Sequence, residues 1–165
     1  MAHIQRITPN LWFDKNGEEA ADFYISVFKN SKKGNVSRYG KEGFDQHHMP
    51  EGTVLTVEFS LDGQDFLALN GGPMFTFSEA ISFSISCNSQ EEIDHYWSRL
   101  QEGGGYEQMC GWLKDRFGLS WQVVPAMLGK LMSDPDKARA GRAMNALMKM
   151  KKLNIEELER AADRA

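Results

Sequence analysis

The sequence predicts an α+β fold of two tandem strand–helix–strand–strand–strand (βαβββ) units followed by a helical tail. Three observations predict it. A strand–cap–helix motif occurs twice: residues 7–28 read ITPNLWFDKNGEEAADFYISVF and residues 81–100 read ISFSISCNSQEEIDHYWSRL. Each copy is followed by a hairpin pattern, and everything after Pro125 reads as helix. Asn16 falls on Ser89, Glu18-Glu19 on Glu91-Glu92 and Phe23-Tyr24 on Tyr96-Trp97, all at an offset of 73. The strand segments match at 74, Ile7 on Ile81 and Leu11 on Ile85. A shared cap, acidic pair and aromatic pair mark a true internal repeat.

The first strand alternates Ile7, Pro9, Leu11 and Phe13 with Thr8, Asn10, Trp12 and Asp14, which gives it two unlike faces. Asn16 with Glu19 three residues on has capping-box spacing, so a helix begins there. Ala20, Phe23, Tyr24 and Val27 form its apolar stripe. Residues 33–39 read as a short strand and 40–52 as a polar loop. In 53–62, Leu55, Val57, Phe59 and Leu61 face one way; Val54, Thr56, Glu58 and Ser60 face the other. Asp62-Gly63 is a hairpin signal. Residues 66–70 form the return strand, ended by Gly71-Gly72-Pro73.

The second unit is shorter. Ile81, Phe83, Ile85 and Cys87 alternate with Ser82, Ser84 and Ser86. Ser89 with Glu92 repeats the capping box, and Ile93, Tyr96, Trp97 and Leu100 form the helix stripe. Gly103-Gly104-Gly105 stops the helix. A brief strand at 106–108 precedes a hairpin of 109–116 and 119–124 around Phe117-Gly118, and Pro125 ends it.

In the tail, 126–132 is a short apolar helix. Asp134-Pro135 reads as a cap followed by proline at the first helical position. Residues 135–150 then place Ala140, Met144, Leu147 and Met148 on one face. Asn154 with Glu157 is a further capping box, opening a helix with Ile155, Leu158 and Ala162 on its stripe.

A chain of 165 residues suits one domain burying roughly 70% of its unfolded-state surface. With 19 Lys+Arg against 23 Asp+Glu and no block of like charge, the chain offers no basic face for nucleic acid. No apolar run approaches the ~20 residues that span a bilayer. The start, MAHIQRITPN, lacks an apolar signal core. The two cysteines make no disulfide framework. A reduced, cytoplasmic protein with no nucleic-acid or membrane partner is expected.

The segment CGWLKDRFGLSWQVVP at 110–125 narrows the reading, with FYISVF at 23–28 and DPDKARAGRAMNALMKMKKLNIEELERA at 134–161. These resemble the PhnB-like branch of the glyoxalase/bleomycin resistance/dioxygenase (vicinal oxygen chelate) superfamily, a branch labelled 3-demethylubiquinone-9 3-methyltransferase-like. The resemblance covers nearly the whole chain. It implies curved mixed sheets around a cavity, and a homodimer. Residues 1–125 become one glyoxalase-like domain, with unit one about 4–72 and unit two about 80–125. Residues 126–165 become a helical tail on the body or on a partner subunit.

The resemblance also implies where metal-dependent members carry ligands: His or Glu on the first and last strands of each unit. This chain has Thr8 and Ala80 or Ser82 on the first strands, and residues 67–70 and Gln122 on the last. None is His or a carboxylate, and a neutral amide is a poor ligand for a divalent transition metal. Of the four histidines, His3 is terminal, His95 is on a helix, and His47-His48 point opposite ways in a loop. No metal or other cofactor is expected. A methyl donor needs a glycine-rich loop between strand and helix. Gly71-Gly72-Pro73 leads into proline and Gly103–Gly105 stops a helix, so the methyltransferase label is not expected to hold. Cys87 and Cys110 read as packing residues rather than nucleophiles.

Alternation puts Asn10, Trp12, Thr56, Glu58, Ser82, Ser84, Trp112, Lys114 and Gln122 on the faces away from the helices. A one-residue slip would invert a whole strand. Glu58, the only inward carboxylate, is the candidate catalytic residue; the others are candidate ligand-binding residues. Trp12, Trp112 and Trp121 are candidates for stacking on a planar ligand. The expected function is binding of a small molecule in the cavity between the two units, without the family metal site. The alternatives are a metal-dependent lyase, isomerase or dioxygenase-like enzyme of the same superfamily, and a dimeric interaction scaffold using Met144, Met148 and Met150.

Overall fold

A computed structural model describes residues 4–164. The chain divides into two units, Met1–Thr76 and Phe77–Ala165. Unit one contains β1 (Asn10–Phe13), α1 (Gly17–Val27), β2 (Lys32–Arg38), α2 (Phe44–His47), β3 (Val54–Leu61) and β4 (Gln64–Asn70). The sheet order is β1-β4-β3-β2, with β1 parallel to β4 and the other pairs antiparallel.

Period-two patterning decides which side of this sheet is dry. Leu11, Phe13, Val57, Phe59, Phe66 and Ala68 are buried together with Ala20, Tyr24 and Val27 of α1. Tyr24 stacks on Phe59 at 6.3 Å between ring centroids. Each fully buried large side chain there contributes about 1.5–3 kcal/mol. Asp62 and Gly63 both take positive φ, 47° and 80°, as the two-residue turn between β3 and β4 requires.

Unit one departs from expectation in three places. The first strand starts at Asn10, and Ile7 is 85% exposed. The polar loop 40–52 contains one helical turn, α2. Asn16 occupies the cap position of α1 but makes no side-chain cap bond. Its role passes to Asn70, whose Oδ1 accepts from the Gly17 amide at 2.8 Å.

Unit two contains β5 (Ser82–Cys87), α3 (Gln90–Leu100), β6 (Tyr106–Glu107), β7 (Trp112–Lys114), β8 (Ser120–Pro125), α4 (Leu128–Met132), α5 (Lys137–Leu147) and α6 (Ile155–Asp163). Its sheet order, β5-β8-β7-β6, repeats that of unit one, again with the outer pair β5–β8 parallel. Cys87, Ile93, Trp97, Leu100, Leu113, Trp121 and Val123 are buried, and α3 contacts β5, β7 and β8. The second cap forms as read: Ser89 Oγ accepts from the Glu92 amide at 3.2 Å. Glu92 Oε2 accepts from the Asn88 amide at 2.7 Å.

The CGWLKDRFGLSWQVVP segment is organised by Asp115, which is 3% exposed. Its Oδ1 accepts from the amides of Phe117 and Leu119 at 2.9 and 3.0 Å, and its Oδ2 accepts from Trp121 Nε1 at 2.9 Å. Trp121 is therefore 3% exposed on the α3 side and does not reach the opposite face as a stacking platform.

The tail folds onto unit two. The amides of Cys110 and Gly111 donate to the carbonyls of Met150 and Lys151 at 2.7 and 2.8 Å. Leu131, Ala143, Leu147, Met150, Leu153, Leu158 and Ala162 form a core cluster of their own. Asn154 Oδ1 caps α6 by accepting from the Glu157 amide at 2.9 Å. The start of α5 differs from expectation. Its cap is Asp136, which accepts from the amides of Ala138 and Arg139, while Asp134 pairs with Arg139 at 2.6 Å. The buried stripe is Ala143 and Leu147. Met144 lies at the edge of this stripe, 43% exposed, and Met148, 60% exposed, is the C-cap residue past the end of the helix. Among the described residues, no helix is long and apolar enough to cross a membrane.

Candidate functional site

In each sheet one face carries the helix, and the other face carries the candidate residues in two cross-strand rows. In unit one the register aligns Asn10 with Leu67 and Leu67 with Glu58; the next row is Trp12, Leu69 and Thr56. In unit two the rows are Ser82–Ser120–Lys114 and Ser84–Gln122–Trp112. All nine candidates thus fall in four rows, with side chains in a row about 5 Å apart at Cβ.

A groove of about 450 Å³ lies on the unit-one face. Thr8, Asn10, Lys32, Glu58, Asp65 and Leu67 are among its lining residues. It includes Asn10 and Glu58 but not Trp12 or Thr56. Glu58 is exposed, and Asn35 Nδ2 donates to its Oε2 at 3.0 Å. That bond holds one carboxylate oxygen in place. Gly34 matters here because a Cβ at that position would sit 3.0 Å from the Glu58 Cβ. Lys32, Asn35 and Asp65 escaped the sequence reading. Asp65 is two residues from Leu67 and shares its face, so period two carried that signal.

The other unit-one candidates are tethered. Asn10 Nδ2 donates to the Thr8 carbonyl at 2.9 Å. Trp12 Nε1 donates to the Gly72 carbonyl at 2.9 Å, and its ring meets Phe75 edge-on at 4.9 Å. Thr56 shares a hydrogen bond with Ser37. In unit two, Gln122 Nε2 donates to Ser82 Oγ at 2.9 Å. Lys114 Nζ pairs with Glu79 Oε1 at 2.7 Å. That hydrogen bond raises the Lys114 pKa and lowers that of Glu79. Ser84 is exposed and Trp112 half-buried.

The geometry can be set beside known proteins. A family model described as 3-demethylubiquinone-9 3-methyltransferase matches residues 5–124. The PhnB protein from Bacillus cereus is 36% identical over 74% of this chain and 100% of its own, with a TM-score of 0.65. The chain belongs to the PhnB-like family. It carries the tandem fold of the glyoxalase/vicinal oxygen chelate superfamily. Two further solved structures show the fold alone. Protein PA1353 from Pseudomonas aeruginosa is 21% identical over 73% of this chain and 96% of its own, with a TM-score of 0.57. The fosfomycin resistance protein FosX from Listeria monocytogenes, complexed with Mn(II) and sulfate, is 14% identical over 79% of this chain and 97% of its own, with a TM-score of 0.51. No curated protein matches the chain.

The superfamily raises the question of a divalent metal. Of the positions that the resemblance assigns to metal ligands, Thr8 lies just before β1, Ser82 opens β5, Leu67 and Asn70 lie on β4 and Gln122 on β8. They offer hydroxyls, an alkyl group and neutral amides, which do not fit a divalent transition metal. Among the described residues, no three His, Cys, Asp or Glu side chains are grouped to hold an ion. His47 Nδ1 instead accepts from the Met49 amide at 2.9 Å, and its ring lies tilted against that of Tyr39 at 4.5 Å. His3 lies outside the described residues. Cys87 is buried, and burial foremost, with the Glu92 charge second, pushes its thiol up to about 11. A thiol so raised is protonated at neutral pH and is no nucleophile.

Proposed function

We propose that this PhnB-like protein binds a small molecule on the helix-free sheet faces, without transition-metal chemistry, and works as a homodimer. The observation that carries the reading is the unit-one groove, in which Glu58 is held by Asn35 beside apolar Leu67 and polar Asn10. An apolar floor with a few fixed polar groups is what a small-ligand site requires. The donor set on the first and last strands argues against a metal. A methyl donor finds no strand–glycine loop–helix junction here: residues 71–80 carry turns and no helix.

Thermal shifts across a metabolite panel test this. One chemical class should raise the Tm of the wild type, and Glu58→Gln should weaken its binding about tenfold, the loss of one charge-assisted bond. A panel without any stabilising member, or equal binding by Glu58→Gln, would overturn the reading. The exposed carboxylate also favours a second reading, an enzyme using Glu58 as general base. Turnover lost in Glu58→Gln with binding retained would select it.

A further inference from the structure

Ser120 is fully buried, and its hydroxyl has no hydrogen-bond partner. A buried polar group in that state is uncommon and calls for a cause. Its neighbours across the sheet supply one. Ser82 lies beside it on β5 and Lys114 on β7. Ser82 Oγ already accepts from Gln122, so its own proton remains to be donated. The row therefore presents two hydroxyl donors and an ammonium. The Lys114 side chain is only 16% exposed. The carboxylate facing this row is Glu79, paired with Lys114 at 2.7 Å and itself 50% exposed. Glu79 lies in the turn segment before β5, where a side chain can swing into solvent without disturbing a strand.

We propose that the Ser82–Ser120–Lys114 row is a subsite for the small oxyanion group of a ligand, a carboxylate or phosphate, and that Glu79 occupies it internally until such a group displaces it. This rests on the reading that the helix-free faces bind a small molecule, and adds the charge of the ligand and a competing side chain. Glu79 stands where the ligand's anion would stand. When it leaves, Lys114 keeps an anion at the same place, and the hydroxyl protons of Ser120 and Ser82 are next along the row. The internal carboxylate keeps the Lys114 ammonium paired while no ligand is present. It also sets a threshold, because a ligand gains only the difference between its own anion and Glu79.

Calorimetric titrations at constant ionic strength test this, with inorganic phosphate in one arm and acetate in the other. The arm that responds identifies the oxyanion. Glu79→Gln should bind that anion about tenfold more tightly than wild type, as expected for removing one charge-assisted competitor. Lys114→Met should abolish the gain in the Glu79→Gln background, and Lys114→Arg should restore part of it. Ser120→Ala should weaken binding severalfold with an unchanged fold by circular dichroism. Equal affinity in wild type and Glu79→Gln, or binding that survives Lys114→Met, would overturn the proposal. If panel metabolites still stabilise the protein in that case, only the subsite fails. If neither anions nor metabolites bind, the binding function fails with it.

Discussion

The side chain of Asn70 joins the start of α1 to the sheet: its Oδ1 accepts from the Gly17 amide at 2.8 Å while its Nδ2 donates to the Val54 carbonyl at 3.1 Å. The Tyr39 hydroxyl adds a bond to the Asn70 carbonyl at 2.6 Å. Asn70 is 2% exposed, and its bond to the buried Gly17 amide lies where water cannot replace it. Asn70→Ala leaves one buried donor and one acceptor unpaired and should cost about 2–4 kcal/mol in urea unfolding. Gly17→Ala should also destabilise, since a Cβ there would meet Asn70 Oδ1 at 2.7 Å.

Asp115 plays the matching part in unit two. With two backbone amides on one oxygen and the Trp121 indole on the other, Asp115→Ala should cost about 3 kcal/mol. Asp115→Asn keeps the amide bonds only by turning its NH2 toward the indole N–H, so it should lose stability as well. Chemical unfolding followed by tryptophan fluorescence measures both.

Ser120→Ala should behave in the opposite sense without ligand. The hydroxyl is buried and unpaired, so removing it should raise stability by about 1 kcal/mol. Loss of stability by more than that amount would mean the hydroxyl is bonded after all.

Cys87 should give the protein an alkaline limit. Its folded pKa, raised from 9.0 to about 11, means the folded state holds its proton more tightly than the unfolded chain. The contribution is complete below pH 9 and fades as pH rises toward 11. Cys87→Ala should flatten that part of the stability profile. In the native protein at pH 8, a thiol reagent should label the half-buried Cys110 first, and Cys87 only after denaturant is added.

Local physics was legible in the sequence. Ser89 with Glu92 and Asn154 with Glu157 are bonds within one turn, so spacing alone revealed them. Alternation placed Val57 and Phe59 in the core and Thr56 and Glu58 on the other face. What escaped depends on distant partners. Asn16 looked like a cap, but the bond to Gly17 comes from Asn70, far along the chain. Spacing put Met144 and Met148 on one stripe with Ala140 and Leu147, but what packs against α5 decides which edge is covered, and that edge is Ala143 and Leu147. Asn35 beside Glu58 and Glu79 beside Lys114 are long-range pairs, and a single sequence carries no sign of which polar residues will meet.

The central claim, a small-molecule site on the helix-free face, is tested most directly by amide chemical-shift mapping with a stabilising metabolite. The account predicts shifts concentrated at Asn10, Asn35, Glu58 and Leu67, reduced in Glu58→Gln. Shifts confined to α1, α3 or the tail helices, or no metabolite producing any, would contradict it.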